Sequence, residues 1–252
     1  MIQLFNIPQY NIDTSWFSNL LHDKVVREFE EEFAKYVGAK YAVSFNSATS
    51  AIFLIFSHWK PSAINSLVDI PSIIPPVVPN AIKNAGWHVK FNDNINWVGS
   101  DYVLHKFPFF KVIDSAQRVD RDQFKKEAED PDLMIFSFYP TKPVGSCDGG
   151  MVVSNDKEKI ELLRTLSFNG MSTEVNNWER KQSVIGHKMY MNSIQAFIAR
   201  ENLKRLDDKK HDIRFNREKY NEGFGLNNTS DHLYRIQVSN NQVFLQRAKA
   251  AS

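Results

Sequence analysis

Between residues 40 and 168 short apolar runs alternate with helical stretches, and this alternation restricts the fold more than any other feature. Tyr41–Phe45, Leu67–Ile70, Trp87–Phe91, Tyr102–Lys106, Lys111–Asp114, Leu133–Phe138 and Met151–Val153 have the length and residue types of strands. Helices are expected from Ala51, in the run AIFLIF, and over residues 77–85, 117–128 and Lys157–Phe168. Such an order predicts an α/β fold, with a mostly parallel sheet sandwiched by helices. An amphipathic helix over residues 16–37 precedes it, with Phe29, Phe33 and Tyr36–Val37 at steps of three and four and Gly38 at the C-cap.

After Gly170 the texture changes. Residues 171–187 are polar without clear periodicity. A long helix is expected from about 191 to 222, then a strand at His232–Val238 and a helix over 241–250. The expected division is a large α/β domain over residues 1–184 and a small, short α+β domain over 185–252. The 252 residues suffice for both, and 42% apolar with 24% charged content is ordinary for a soluble protein. A net charge of +2 argues for neither a nucleic-acid nor a membrane partner. Cys147 is the one cysteine, which excludes an intrachain disulfide and a multi-cysteine metal site, and no metal is expected. No secretory signal or run of transmembrane length is visible, so the expected location is cytoplasmic.

Residues 133–154, LMIFSFYPTKPVGSCDGGMVVS, place Lys142 between Pro140 and Pro143 in a loop joining two apolar strands. A lysine buried there has a lowered pKa and a free amine able to form an imine, whereas a surface turn would make it incidental. The sequence NSATS, residues 46–50, turns from a strand into a buried helix. It is either a plain Ser/Thr cap or a set of free N–H groups suited to a phosphate. Asp114 ends a strand at the sheet edge where α/β folds carry ligands, with Gln117 just after it. Ser137 ends the strand before Lys142. A phosphate turn, a carboxylate for a ring nitrogen and an amine are together what pyridoxal phosphate requires.

The order and wording of these motifs resemble the DegT/DnrJ family of fold-type-I, pyridoxal-phosphate-dependent sugar aminotransferases. EFEEEFAKYVGAKYAVSFNSATSAI, VIDSAQ, FSFYPTKPVGSCDGGMVVSND and GHKMYMNSIQAFIARENLKRLDDKK are similar to four family segments in the family's order. The resemblance makes Lys142 the Schiff-base lysine and proton shuttle. It sets Asp114 against the pyridine nitrogen, Gln117 beside the ring hydroxyl, and Ala48, Thr49 and Ser137 on the phosphate. It implies a homodimer with a shared active site, in which Lys188 or Asn192 reaches the neighbouring subunit's phosphate. Where family members usually carry a ring that stacks on the cofactor, this chain has Ile74 and Pro75. It resembles a shortened member, with residues 93–111 compressed and little chain after the last expected strand. The implied activity moves an amino group from an amino acid, glutamate foremost, to a keto-sugar, nucleotide-linked. Two alternatives are a pyridoxal-phosphate-dependent sugar dehydratase, which Lys142 argues against, and a non-catalytic relative that binds a sugar nucleotide or a partner.

Overall fold

The computed structural model describes residues 10–61, 66–71, 74–92, 94–95, 101–173 and 180–208. Helix α1, Lys24–Val37, starts at Asp23 and ends at Gly38, whose φ of 78° is the left-handed conformation a glycine C-cap supplies. It begins later than expected, because Asp23 accepts from the N–H groups of Asn19 and Lys24 while Asn19 accepts from that of Leu21. These side chains divert residues 18–23 into turns.

Strand β1, Tyr41–Phe45, leads into α2, Ala48–His58. Then come β2, Leu67–Pro71, α3, Val77–Asn84, and β3, His88–Asn92. Strands β4, Tyr102–Phe107, and β5, Phe110–Asp114, are followed by the short α4, Gln123–Glu127. Strands β6, Leu133–Ser137, and β7, Gly150–Ser154, precede α5, Lys157–Ser167, and α6, Ser193–Lys204. The helix expected over residues 117–128 is limited to α4. Arg118 is held by Asp101, Asp120 and Glu127, and Asp122 has a left-handed φ of 58°. The expected helix beyond residue 208, the strand at 232–238 and the helix at 241–250 lie outside the described residues.

The sheets correct one expectation. The larger has the order β1-β7-β6-β5-β4, and β2 and β3 form a separate parallel pair. Only β5–β6 is parallel in the larger sheet, while β1–β7, β6–β7 and β4–β5 are antiparallel, so it is mostly antiparallel. Where a helix joins two neighbouring strands, as α3 joins β2 to β3 and α4 joins β5 to β6, the pair is parallel, as alternation predicts. The link from β4 to β5 is only Pro108–Phe109, too short for a crossover, so the chain reverses in a hairpin.

Both faces of the larger sheet are buried. Val43, Ile135 and Val152 face a core shared with α2, α3 and α5, while Ala42, Met134, Phe136, Met151 and Val153 face α1 and α6. This two-sided burial explains why β6 and β7 are almost uninterrupted apolar runs. Helix α6 shares its core with α1 through Ala196, Ala199 and Leu203. Among the described residues no helix is long and apolar enough to cross a membrane.

Candidate active site

Strands β5 and β6 run parallel, and two antiparallel steps through β7 restore that direction in β1. The C-terminal ends of all three therefore meet at one sheet edge. The residues just beyond these ends line a single cavity of about 420 Å³. After β1 come Ser47, Ala48 and Thr49; after β5, Ala116 and Gln117 follow Asp114; after β6, Tyr139, Thr141 and Lys142 follow Ser137. The opposite wall is apolar, made of Ile74, Pro75, Val77 and Val78.

The NSATS turn forms a cap and also borders the cavity. Ser47 caps α2, accepting from the Ser50 N–H at 3.2 Å, while Ala48 and Thr49 in the first turn line the cavity. Their N–H groups have no acceptor within the helix, as at any helix start. Gly150 allows this approach: a Cβ there would collide with the Ala48 backbone nitrogen, so any side chain would push α2 off β7.

The lysine loop is pinned at its base. The Phe138 N–H donates to the Gly149 carbonyl at 2.9 Å, the Ser146 N–H to Phe138 at 2.8 Å, and the Lys142 N–H to Tyr139 at 2.8 Å. Lys142 thus enters the cavity from a fixed backbone. Burial pushes its amine below the usual lysine range, against the opposing pull of the Asp114 charge. Its ammonium forms no ion pair or hydrogen bond among the described residues. Burial pushes the Asp114 carboxyl above the usual carboxylate range, opposed by the Ala116 N–H at 3.0 Å, the Tyr102 hydroxyl at 2.9 Å and the Lys142 charge. Perturbed groups of this kind sharing one cavity mark a candidate site for proton chemistry.

Ala48, Thr49, Asp114, Gln117, Ser137 and Lys142 are therefore brought together. Asn192 is not. It is the N-cap of α6 in a capping box, accepting from the Gln195 N–H at 2.9 Å while its own N–H donates to Gln195 Oε1 at 3.1 Å. The signature Asn-x-x-Gln was legible in the chain. Lys188 is exposed and is likewise no part of the lining.

Two cavity residues carry chemistry that the sequence did not single out. Tyr102 donates to Asp114 from β4, and its visibility depended on strand register. Asp148 accepts from the Gly149 N–H at 2.7 Å, and burial pushes its carboxyl upward. Among the described residues no group of His, Cys, Asp and Glu side chains is placed to hold a metal ion.

The family model described as the DegT/DnrJ/EryC1/StrS aminotransferase family matches residues 11–73 and 114–246. The spore coat polysaccharide biosynthesis protein SpsC of Bacillus subtilis is 27% identical over 236 residues, covering 78% of this chain and 60% of that protein. The UDP-4-amino-4,6-dideoxy-N-acetyl-beta-L-altrosamine transaminase of Campylobacter jejuni is 28% identical over 252 residues, covering 82% of this chain and 66% of that protein. Among solved structures, ntda from Bacillus subtilis with bound cofactor PMP superposes with a TM-score of 0.58 at 17% identity. That match covers 75% of this chain and 49% of the other, a likeness of fold. The chain thus spans 60% to 66% of the length of the two sequence relatives.

Proposed function

The chain belongs to the DegT/DnrJ/EryC1/StrS aminotransferase family, and we propose that it binds pyridoxal phosphate and moves an amino group from an amino acid to a keto-sugar. One observation carries this reading: a half-buried lysine without an ion-pair partner among the described residues, a buried carboxylate, a hydroxyl and a helix N-terminus share one cavity.

The donor set fits the cofactor. Backbone N–H groups of Ala48 and Thr49 with the Ser137 hydroxyl suit a phosphate dianion at the positive end of α2. The Asp114 carboxylate suits a ring nitrogen that must stay protonated. Lys142 Nζ, whose pKa burial lowers, suits a covalent anchor. The apolar wall of Ile74 and Pro75 suits one face of a planar ring. When bound, pyridoxal phosphate supplies an electron sink for a carbon next to nitrogen.

The protein's own contribution is to hold and move protons. With the cofactor bound, Lys142 Nζ would be the group placed to take a proton from the donor amino acid and to return one. Two hydrogen bonds and the nearby Lys142 charge favour the Asp114 carboxylate, against the burial that opposes it. The fixed loop around Lys142 keeps that nitrogen within reach of both positions, which limits the reorganisation each transfer needs.

The acceptor is proposed to be a nucleotide-linked keto-sugar, supported by the name of the Campylobacter jejuni relative, and the donor glutamate. A homodimer with a shared site and a cytoplasmic location complete the reading. The purified protein should gain a visible absorbance band with pyridoxal phosphate, which Lys142→Ala abolishes. Glutamate should then bleach the band and release 2-oxoglutarate. Absence of the band at saturating cofactor would sink the proposal. A band that no amino donor bleaches would favour the binding-only alternative, whose motive is the apolar wall where a stacking ring is usual.

A further inference from the structure

The hairpin of β4 and β5 pairs Phe107 with Phe110, Lys106 with Lys111 and His105 with Val112. Continued at that register, Val103 would face Asp114. The register shifts between Val103 and His105, however, and Tyr102 becomes the partner of Asp114. The extra residue, Leu104, turns the β4 residues that precede it, Val103 and Tyr102, to the face opposite the one the hairpin register would give them. Val103 is accordingly 39% exposed while Tyr102 is 7% exposed and lines the cavity.

The result is a buried phenol against a buried carboxylate. Tyr102 Oη donates to Asp114 Oδ2 at 2.9 Å, and the Ala116 N–H donates to Oδ1 at 3.0 Å. Donors on different oxygens fix the plane of the carboxylate and leave each oxygen further lone pairs for a ligand. We infer that Tyr102 is a positioning residue, holding the Asp114 carboxylate ionised and aimed into the cavity for a ring nitrogen. The ring-nitrogen part rests on the pyridoxal phosphate reading above. Tyr102 lies between residues 73 and 114, outside both stretches that the family model matches.

The groups facing Asp114 are Tyr102 on β4, Lys142 on the loop after β6, and Asp101 just before β4. Burial and the Asp101 charge favour the neutral acid, while the phenol, the Ala116 N–H and the Lys142 ammonium favour the carboxylate. The phenol remains a donor across the working range, because burial and the Asp114 charge push its own pKa well above the tyrosine value. Removing it therefore removes one of three supports for the charge.

Tyr102→Phe keeps the ring and deletes the donor. In the ligand-free protein the Asp114 carboxyl, identified by its loss in Asp114→Asn, is followed by carbon NMR against pH. The midpoint should rise by about one pH unit in Tyr102→Phe, a tenfold change in proton affinity. In cofactor titrations Tyr102→Phe should weaken pyridoxal phosphate binding about tenfold, and by less than about twofold when Asp114→Asn is already present. An unmoved midpoint, or an equal loss of affinity in both backgrounds, overturns the inference, since ring packing alone would explain the latter. If the wild type binds no cofactor yet the midpoint moves, the functional reading falls and the carboxylate-holding role stands. If the wild type binds and neither quantity responds to Tyr102→Phe, the functional reading stands and the inference falls.

Discussion

Glu30 with Arg164, and Asp114 with the nearby Lys142, combine the same charges in the same fold, and the two sets are completed differently. Glu30 on α1 accepts from the Ser44 N–H at 2.8 Å and the Ser44 hydroxyl at 2.7 Å on one oxygen. On the other it accepts from Arg164 at 2.8 Å and Arg27 at 3.3 Å. Arg164 on α5 also donates to the Ala42 carbonyl at 2.7 Å. Each group is satisfied by protein, and α1, β1 and α5 are tied together as a result. In the cavity Asp114 has two donors, and the Lys142 ammonium has no hydrogen-bond or ion-pair partner among the described residues. Buried charges left partly unsatisfied cost stability in the empty protein, and what they retain is capacity for a ligand.

The largest test separates the two pairs by unfolding. Arg164→Met should destabilise the protein by about 3–5 kcal/mol in denaturant titrations, because Glu30 stays buried without its main partner. Lys142→Met should cost nothing or stabilise the ligand-free protein while removing cofactor anchoring. Its lowered folded pKa means that the penalty for a charged Lys142 is present below that pKa and disappears as pH rises through the unfolded value. The benefit of Lys142→Met should therefore fade in alkaline solution. A large loss in Lys142→Met at neutral pH would make the cavity pair structural.

Next in size is Asp114→Asn, which should weaken cofactor binding by about tenfold to a hundredfold. Its stability effect has the opposite sign. The raised folded pKa of Asp114 favours folding below the unfolded value, and that advantage is lost as pH rises through the folded value. Asp114→Asn should thus be the more stable protein at neutral pH, with the gap closing in acid, as read from melting temperatures across pH. Asn192→Ala should cost about 1 kcal/mol through the lost cap. A matching loss of cofactor affinity would show that Asn192 also reaches a phosphate across a dimer. The smallest effect is expected for Pro75→Tyr, which adds a ring to the apolar wall and should tighten cofactor binding about threefold in titrations.

Much of the candidate site was legible because its parts are local. A lysine between two prolines, a small polar turn before a buried helix, and an aspartate ending a strand each occupy a few consecutive residues. Each comes directly after a strand that the apolar pattern already marked. The capping box of Asn192 is equally local, an Asn-x-x-Gln at the start of α6. Tyr102 was not legible, since one bulged residue decides which side chain of β4 meets Asp114. The antiparallel pairing of β4 with β5 was missed because alternation alone does not reveal that Pro108 and Phe109 form a reversal rather than a crossover.

By itself the sequence determined the two-sided burial of β6 and β7, the caps of α1 and α2, and the residue types gathered at one sheet edge. Periodicity and capping depend on neighbours a few positions apart, and these are written in order along the chain. Tertiary structure alone decided that Glu30 is satisfied by a partner 134 positions away while Lys142 is left without one among the described residues. Whether a buried charge becomes a strut or a reagent depends on which donors fold onto it, and those come from distant strands and helices whose register only the packed molecule sets.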